Sequence, residues 1–219
     1  MAKWSKYEQK QPAVRHLFHV HTKFTDGSLT VREWFEVARS LGVDKITFLE
    51  HIRENPTYNV RQYLDEIEFC SAYFNIRGVK GFEAKLLPDG FLDVPAALLG
   101  EVEVLGLAEH SFPSDMKLFI DSWRRAVVRY KSEYPCLEIV WVHPGLWLKK
   151  QGKLFEMREI YEKMLHEAVA LGISVEKNLR YNLVPDEFEY IVPREKLVIG
   201  VDAHRLSDLA SLCSYFWLT

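Results

Sequence analysis

The stretch RHLFHVHTKFTDGSLTVREWFEVARSLG, from Arg15 to Gly42, holds a short apolar run, a polar loop and an amphipathic segment in that order. Arg15 to Val20 reads as a strand. Thr30-Val-Arg-Glu33 is a capping box, whose hydroxyl and carboxylate satisfy each other's unpaired backbone amides, so a helix is expected from there to about Leu41 with Gly42 as its stop. A strand that feeds a helix through a loop rich in histidine is the unit from which the rest of the chain is read.

The same unit recurs. Strands are expected at Lys45 to Leu49, about Val79 to Leu86 (ended by the turn Pro88-Asp89-Gly90), Val102 to Ala108, Leu137 to Val142, Ile173 to Val175 and Leu197 to Val201. Helices are expected at Val60 to Phe74, with Tyr63, Leu64, Ile67 and Cys70 or Ser71 on one face, at Asp115 to Tyr130, and at Leu154 to Leu171, where Phe155, Tyr161, Met164, Leu165 and Ala168 would make the buried stripe. Seven strands alternating with helices call for a parallel sheet. Without a Gly-rich phosphate loop, an α/β barrel is favoured over a dinucleotide-binding fold. No repeat, low-complexity tract or linker interrupts the pattern, so one domain is expected over 1–219, with its core at about 15–212.

Composition narrows the function. The 219 residues carry 28 Lys plus Arg against 31 Asp plus Glu, a formal charge of −3, with 48% hydrophobic residues. This is the balance of an ordinary globular chain, and it disfavours a generic polyanion binder, which concentrates positive charge. A chain of this length buries roughly 70% of its unfolded surface and needs no structural metal to fold. Cys70, Cys136 and Cys213 are odd in number and widely spaced, which suits neither a disulfide framework nor a thiolate zinc site. With no apolar h-region after MAKWSK and no run of about 18 apolar residues, a cytoplasmic location without a membrane partner is expected.

The histidines point to chemistry. Of eight, six (His19, His21, His51, His110, His143 and His204) fall at or just past the C-terminal end of an expected strand. Carboxylates accompany them: Asp26, Glu50, Glu83, Glu109, Glu176 and Asp202. In an α/β barrel those strand ends meet on one face, where barrel active sites are built. Nitrogen and oxygen donors without thiolates suit Zn, Mn or Fe. In His19-Val20-His21 and in Asp202-Ala203-His204, side chains two apart on a strand would share a face.

These residues, in the order His19-Val-His-Thr-Lys-Phe-Thr-Asp-Gly27, Glu50-His51, Gly81-Phe-Glu83, Glu109-His110, His143-Pro144, Glu176-Lys-Asn178 and Asp202-Ala-His204, resemble the PHP (polymerase and histidinol phosphatase) superfamily from about Phe18 to Leu209. The resemblance implies a distorted (β/α)7 barrel with two to three divalent ions at the C-terminal strand ends. It implies that His19, His21, Glu83 and Asp202 hold a first ion and that Asp26, His51 and His204 hold a second. A third would fall to His110 and His143, with Glu83 as bridge. Glu50 stands where the family commonly has Asp, beside His51, and is expected to support the ligands without touching an ion.

Several clustered ions lower the pKa of a bridging water and spread phosphoryl charge, so the expected activity is metal-dependent hydrolysis of a small phosphomonoester, with Glu83, Asp202 and His204 as the central groups. A phosphate also needs protein cations. Arg180 and Arg205 are the first candidates, with Lys177 and Arg53 behind them, although Arg205 is equally placed to pair with Asp208. Three other activities compete: an exonuclease-like role on nucleic-acid ends, a metal-binding regulatory module, and C–N bond hydrolysis. The charge balance weighs against the first, and the densest basic pair, Arg124-Arg125, is expected on an outer helix. His16 and His166 are expected away from the site. Glu109 and Glu176 are expected as carboxylate partners of ligating imidazoles, while Trp4, Trp34, Trp123, Trp141 and Trp217 are read as packing residues and Trp147 as a loop residue over the site.

Overall fold

The computed structural model describes residues 15–210 and Leu212; Cys213, Trp4 and Trp217 lie outside the described residues. The first unit forms as its sequence dictates. β1 (His16–Val20) leads through a polar loop to α1 (Val31–Leu41), where both halves of the Thr30–Glu33 capping box are made and Gly42 closes the helix at φ 69°. Next come β2 (Lys45–Phe48), β3 (Glu50–Ile52), α2 (Val60–Phe74), β4 (Arg77–Val79), β5 (Gly81–Lys85), β6 (Val104–Ala108) and α3 (Met116–Glu133). The chain continues with β7 (Glu138–Trp141), α4 (Leu146–Lys150), α5 (Arg158–Ala170), β8 (Ser174–Asn178), α6 (Asp186–Glu189) and β9 (Leu197–Ala203).

Every strand pairing is parallel, in the order β3-β5-β6-β7-β8-β9-β1-β2-β4. Nine strands replace the expected seven, because two long strands are each interrupted by one residue. β3 continues β2 past Leu49, and β5 continues β4 past Lys80. Their pairings share one offset of 32 residues, Lys45 opposite Arg77 and Glu50 opposite Phe82, so the two ends of the strand order belong to the same pair of strands. The sheet therefore closes on itself as a distorted seven-position barrel. At the interruption the backbone bonds go outward: Leu49 N donates to Val20 O, and Lys80 O accepts from Glu103 N.

Alternation along the strands sorts two apolar layers. Phe18, Leu49, Val79, Val104, Val140 and Val142 fill the barrel interior, while Leu17, Ile46, Phe82, Leu105 and Trp141 face the helices. Trp34, Trp123 and Tyr63 are fully buried in that outer layer. Burial of α5 follows the expected stripe at Tyr161, Met164, Leu165 and Ala168, with one correction. Helix α5 starts at Arg158, so Phe155 precedes it and stays 64% exposed, stacked on Phe188. Trp147 is a second correction. It is buried in helix α4 and not on a loop, stacked on Phe119 with its indole N–H donating to Phe112 O. No helix among the described residues is long and apolar enough to cross a membrane.

Candidate metal centre

The nine residues converge on the C-terminal end of the barrel. Three sets of donor atoms lie within 4.8 Å of one another: His19, His21 and Asp202; His21, Asp26, His51 and His204; and Glu83, His110 and His143. These sets depart from the expected grouping in two ways: His21 falls in the second set as well as the first, and Glu83 falls with His110 and His143 and not with His19, His21 and Asp202. Glu83, buried on β5, stands between them. Its Oε2 is 3.4 Å from His19 Nε2, 3.5 Å from His21 Nε2 and 3.1 Å from His51 Nδ1, and its Oε1 is 2.9 Å from His143 Nε2 and 3.8 Å from His110 Nδ1. Asp202 Oδ1 is 3.5 Å from both His21 Nε2 and His204 Nδ1, while Asp26 joins His51 and His204 at 3.5 and 3.4 Å.

Local backbone, more than strand alternation, aims these side chains. His19 (φ 69°), His143 (φ 34°) and Asp202 (φ 48°) all take the left-handed conformation that costs a non-glycine residue of order 1–3 kcal/mol. At His19 the register of β1 slips against both β2 and β9, a bulge, and His21 already lies beyond the strand. The two imidazoles meet, with ring centroids 5.0 Å apart, but through the bulge and not through the shared strand face expected from their spacing.

A layer of buried carboxylates holds the ligands. Glu176 Oε1 accepts from His19 Nδ1 at 2.7 Å, and its Oε2 accepts from the His143 backbone N at 2.6 Å and from Asn178 Nδ2 at 3.1 Å. Gly200 makes room for it, because a Cβ there would fall 1.7 Å from Glu176 Oε1. Glu50 Oε2 accepts from the Thr22 backbone N at 2.9 Å and from the Thr22 hydroxyl, and Oε1 accepts from the Thr25 hydroxyl. Its role is to tie down the loop between His21 and Asp26. Glu109 does not meet His110 as expected; it accepts from Trp141 Nε1 and Gly145 N and so fixes the turn after His143. Burial pushes its carboxyl up to about 7, against those donors.

Carboxylates and imidazoles in this cluster shift one another's protonation. Burial disfavours ionisation of Glu83, but His51, His143 and His19 outweigh it and hold its pKa well below the usual carboxylate range. Burial likewise opposes a proton on His51, yet Glu83 and then Asp26 raise it to about 10. His19 is raised well above its ordinary value by Glu176 and Asp202, again against burial. Four buried imidazole nitrogens still lack a hydrogen-bond partner: His21 Nδ1 and Nε2, His110 Nδ1 and His143 Nδ1. Buried carboxylates needing positive charge beside unpartnered imidazole nitrogens are the chemistry of a divalent metal site. The residues fit such ions.

The expected substrate cations divide. Arg180 is at the site: its Nη1 donates to Asp202 O at 2.9 Å and also contacts His204 Nδ1. Arg53 lies at the rim, 3.6 Å from Asp93. Arg205 pairs with Asp208 at 3.3 Å and is exposed. Lys177 alternates to the far side of β8 from Glu176 and Asn178, where it is buried against Asp186 and Glu189. His16 bonds Thr47 at the opposite end of β1, and His166 is exposed on α5. Sequence reasoning assigned no role to Asn178, Thr22, Thr25, Lys85 or Lys150; only the fold brings them to the centre.

No protein-family model matches the chain. The chain is 25% identical over 206 residues to the DNA polymerase/3'-5' exonuclease PolX of Bacillus subtilis (strain 168), covering 87% of itself and 34% of that protein. Among solved structures it is similar to a two-domain protein from Bacteroides vulgatus ATCC 8482 containing a predicted PHP-like metal-dependent phosphoesterase, with TM-score 0.50 and 17% identity over 88% of this chain and 52% of that one. An amidohydrolase from Burkholderia ambifaria with bound Zn is more distant, at TM-score 0.42 and 12% identity over 78% and 56% of the two chains. The chain thus spans about a third of the curated relative and about half of each structural neighbour. The barrel is the fold of the PHP-like protein, as the motifs led one to expect.

Proposed function

We propose that this PHP-like barrel is a metal-dependent phosphoesterase acting on a small phosphomonoester. The observation that carries the reading is Glu83, one buried carboxylate whose two oxygens face the imidazoles of all three donor sets. His19, His21, Glu83 and Asp202 would hold one ion, Asp26, His51 and His204 a second, and His110 and His143, with Glu83, a third. Divalent ions held by these residues would lower the pKa of bound water and offset phosphoryl charge. The chain supplies the positioning. Glu176 orients the His19 ring, Glu50 and Trp34 Nε1, which donates to His21 O at 2.8 Å, hold the loop that carries His21 and Asp26, and Arg180 presents a guanidinium beside Asp202 and His204. A guanidinium there grips two oxygens of a phosphoryl group.

The test is a panel of sugar phosphates, amino-alcohol phosphates and nucleotides offered to Mn-reconstituted protein. Phosphate release that a chelator abolishes is expected, and protein of full metal content that releases none overturns the reading. Similarity to a DNA polymerase/3'-5' exonuclease favours a second reading, removal of nucleotides from nucleic-acid ends. Against it stand the net charge of −3 and the engagement of Arg124 with Glu167 and of Arg125 with Pro88 O. A 3'-labelled oligonucleotide in the same panel separates the two.

A further inference from the structure

The two ends of the centre differ in charge. At the His204 end stands Arg180, already bonded to Asp202 O. At the His110 end three cations collect from three elements. Lys85 closes β5 two residues after Glu83, so both side chains leave the same face of that strand. Arg53 follows β3 one residue past the pairing of Ile52 with Ala84, which places its backbone beside Lys85. Lys150 ends α4, downstream of His143. Arg53 and Lys150 both lie within Coulombic reach of Lys85, and both lysines lie within reach of His110.

Counter-charge is short there. Asp93 is the nearby carboxylate outside the metal ligands, and its oxygens serve Arg53 Nε at 3.6 Å and the Glu54 backbone N at 2.8 Å. Among the described residues, neither the Lys85 nor the Lys150 ammonium has an ion pair or hydrogen bond, although Lys85 is only partly exposed. In a chain with a net charge of −3, two unpaired ammonium groups and a guanidinium on one side of the donor cluster concentrate anions at that side.

We propose that Lys85, Lys150 and Arg53 form an anion subsite beside His110 that takes a second anionic group of the substrate, a carboxylate or a further phosphate, while the scissile phosphate lies among the metal ligands. The substrate class is then a phosphomonoester with a second negative group. This rests on the phosphoesterase reading above.

The discriminating pair is glycerol 2-phosphate and 2-phosphoglycerate, which differ in one carboxylate, with 2,3-bisphosphoglycerate as the phosphate arm. Mn-loaded protein should show kcat/KM at least tenfold higher on the acids. Lys85→Gln with Lys150→Gln should shrink that preference by about tenfold, at unchanged metal content and thermal midpoint. A preference that survives the double substitution, or loss in equal proportion on all three compounds, overturns the subsite. If the wild-type protein hydrolyses none of them, the wider panel above decides the phosphoesterase reading, and inorganic pyrophosphate binding to the Mn-loaded protein by calorimetry decides the subsite. An affinity reduced at least tenfold in the double variant supports it, and an equal affinity overturns it. Lys150→Gln alone, at an exposed position, provides the variant least able to disturb folding.

Discussion

Glu83 and Gly200 show what single residues do here. Glu83→Gln keeps the shape of the side chain but removes the charge shared by five imidazoles, so it should lower the bound metal per chain more than any single histidine substitution, as read by elemental analysis after Mn or Zn reconstitution. Equal loss in His110→Ala would remove its bridging role. Gly200→Ala acts from behind the ligands. Its methyl would occupy the position of Glu176 Oε1, releasing the His19 ring and the His143 amide. Displacing such a partner weakens metal binding by about 10- to 100-fold, and overpacking costs about 1–3 kcal/mol. Metal titration and denaturant unfolding of Gly200→Ala should show both.

At the scale of elements, α1 and the loop before it form one device. The Thr30 cap starts the helix, and Trp34, one turn later, bonds His21 O. Thr30→Ala should therefore cost about 1 kcal/mol in urea unfolding while metal content stays at the wild-type value. Glu50 reaches the loop from β3. In Glu50→Asp the chain is one methylene shorter and cannot span both Thr22 and Thr25, so loss of one hydrogen bond to a charged group should lower stability by about 1.5–3 kcal/mol with no ion lost. An ion lost in this variant would make Glu50 a ligand. The capping box was legible in the sequence because it is local. The bulge at His19 was not, since it arises where β1 must satisfy β2 and β9 at once.

For the whole molecule, the cluster links stability to pH. His51, with burial opposing and Glu83 and Asp26 prevailing, is raised to about 10. A raised histidine stabilises fully below its ordinary value of about 6.5 and loses that contribution as pH rises toward 10. Chelator-treated protein should accordingly melt at progressively lower temperature from pH 6.5 upward. On the acid side, His16, depressed to about 4 by burial and by Lys45, works with the opposite sign and withdraws stability as pH falls below 6.5. Ions need neutral imidazoles, so their uptake releases protons and the rise in melting temperature on adding Mn should be larger at pH 8 than at pH 6.5. Equal increments at the two pH values would show that the histidines carry no extra proton.

Sequence alone determined the alternation of strands and helices and the end of the barrel where the donors gather, whereas the expected division of those donors among ions came from the resemblance to the PHP superfamily. The first two depend on periodicity, caps and donor types, which are properties of short segments. Tertiary structure decided the rest. Lys177 and Arg205 carry the right charge at plausible places, but strand alternation turns the first toward Asp186 and Glu189, and Asp208 takes the second. Lys85 and Lys150, unremarkable along the chain, are brought to one side of the centre by the pairing of β3 with β5 and by the path of α4. A side chain's partners are set by what lies across the barrel, and that distance is not written in its neighbours.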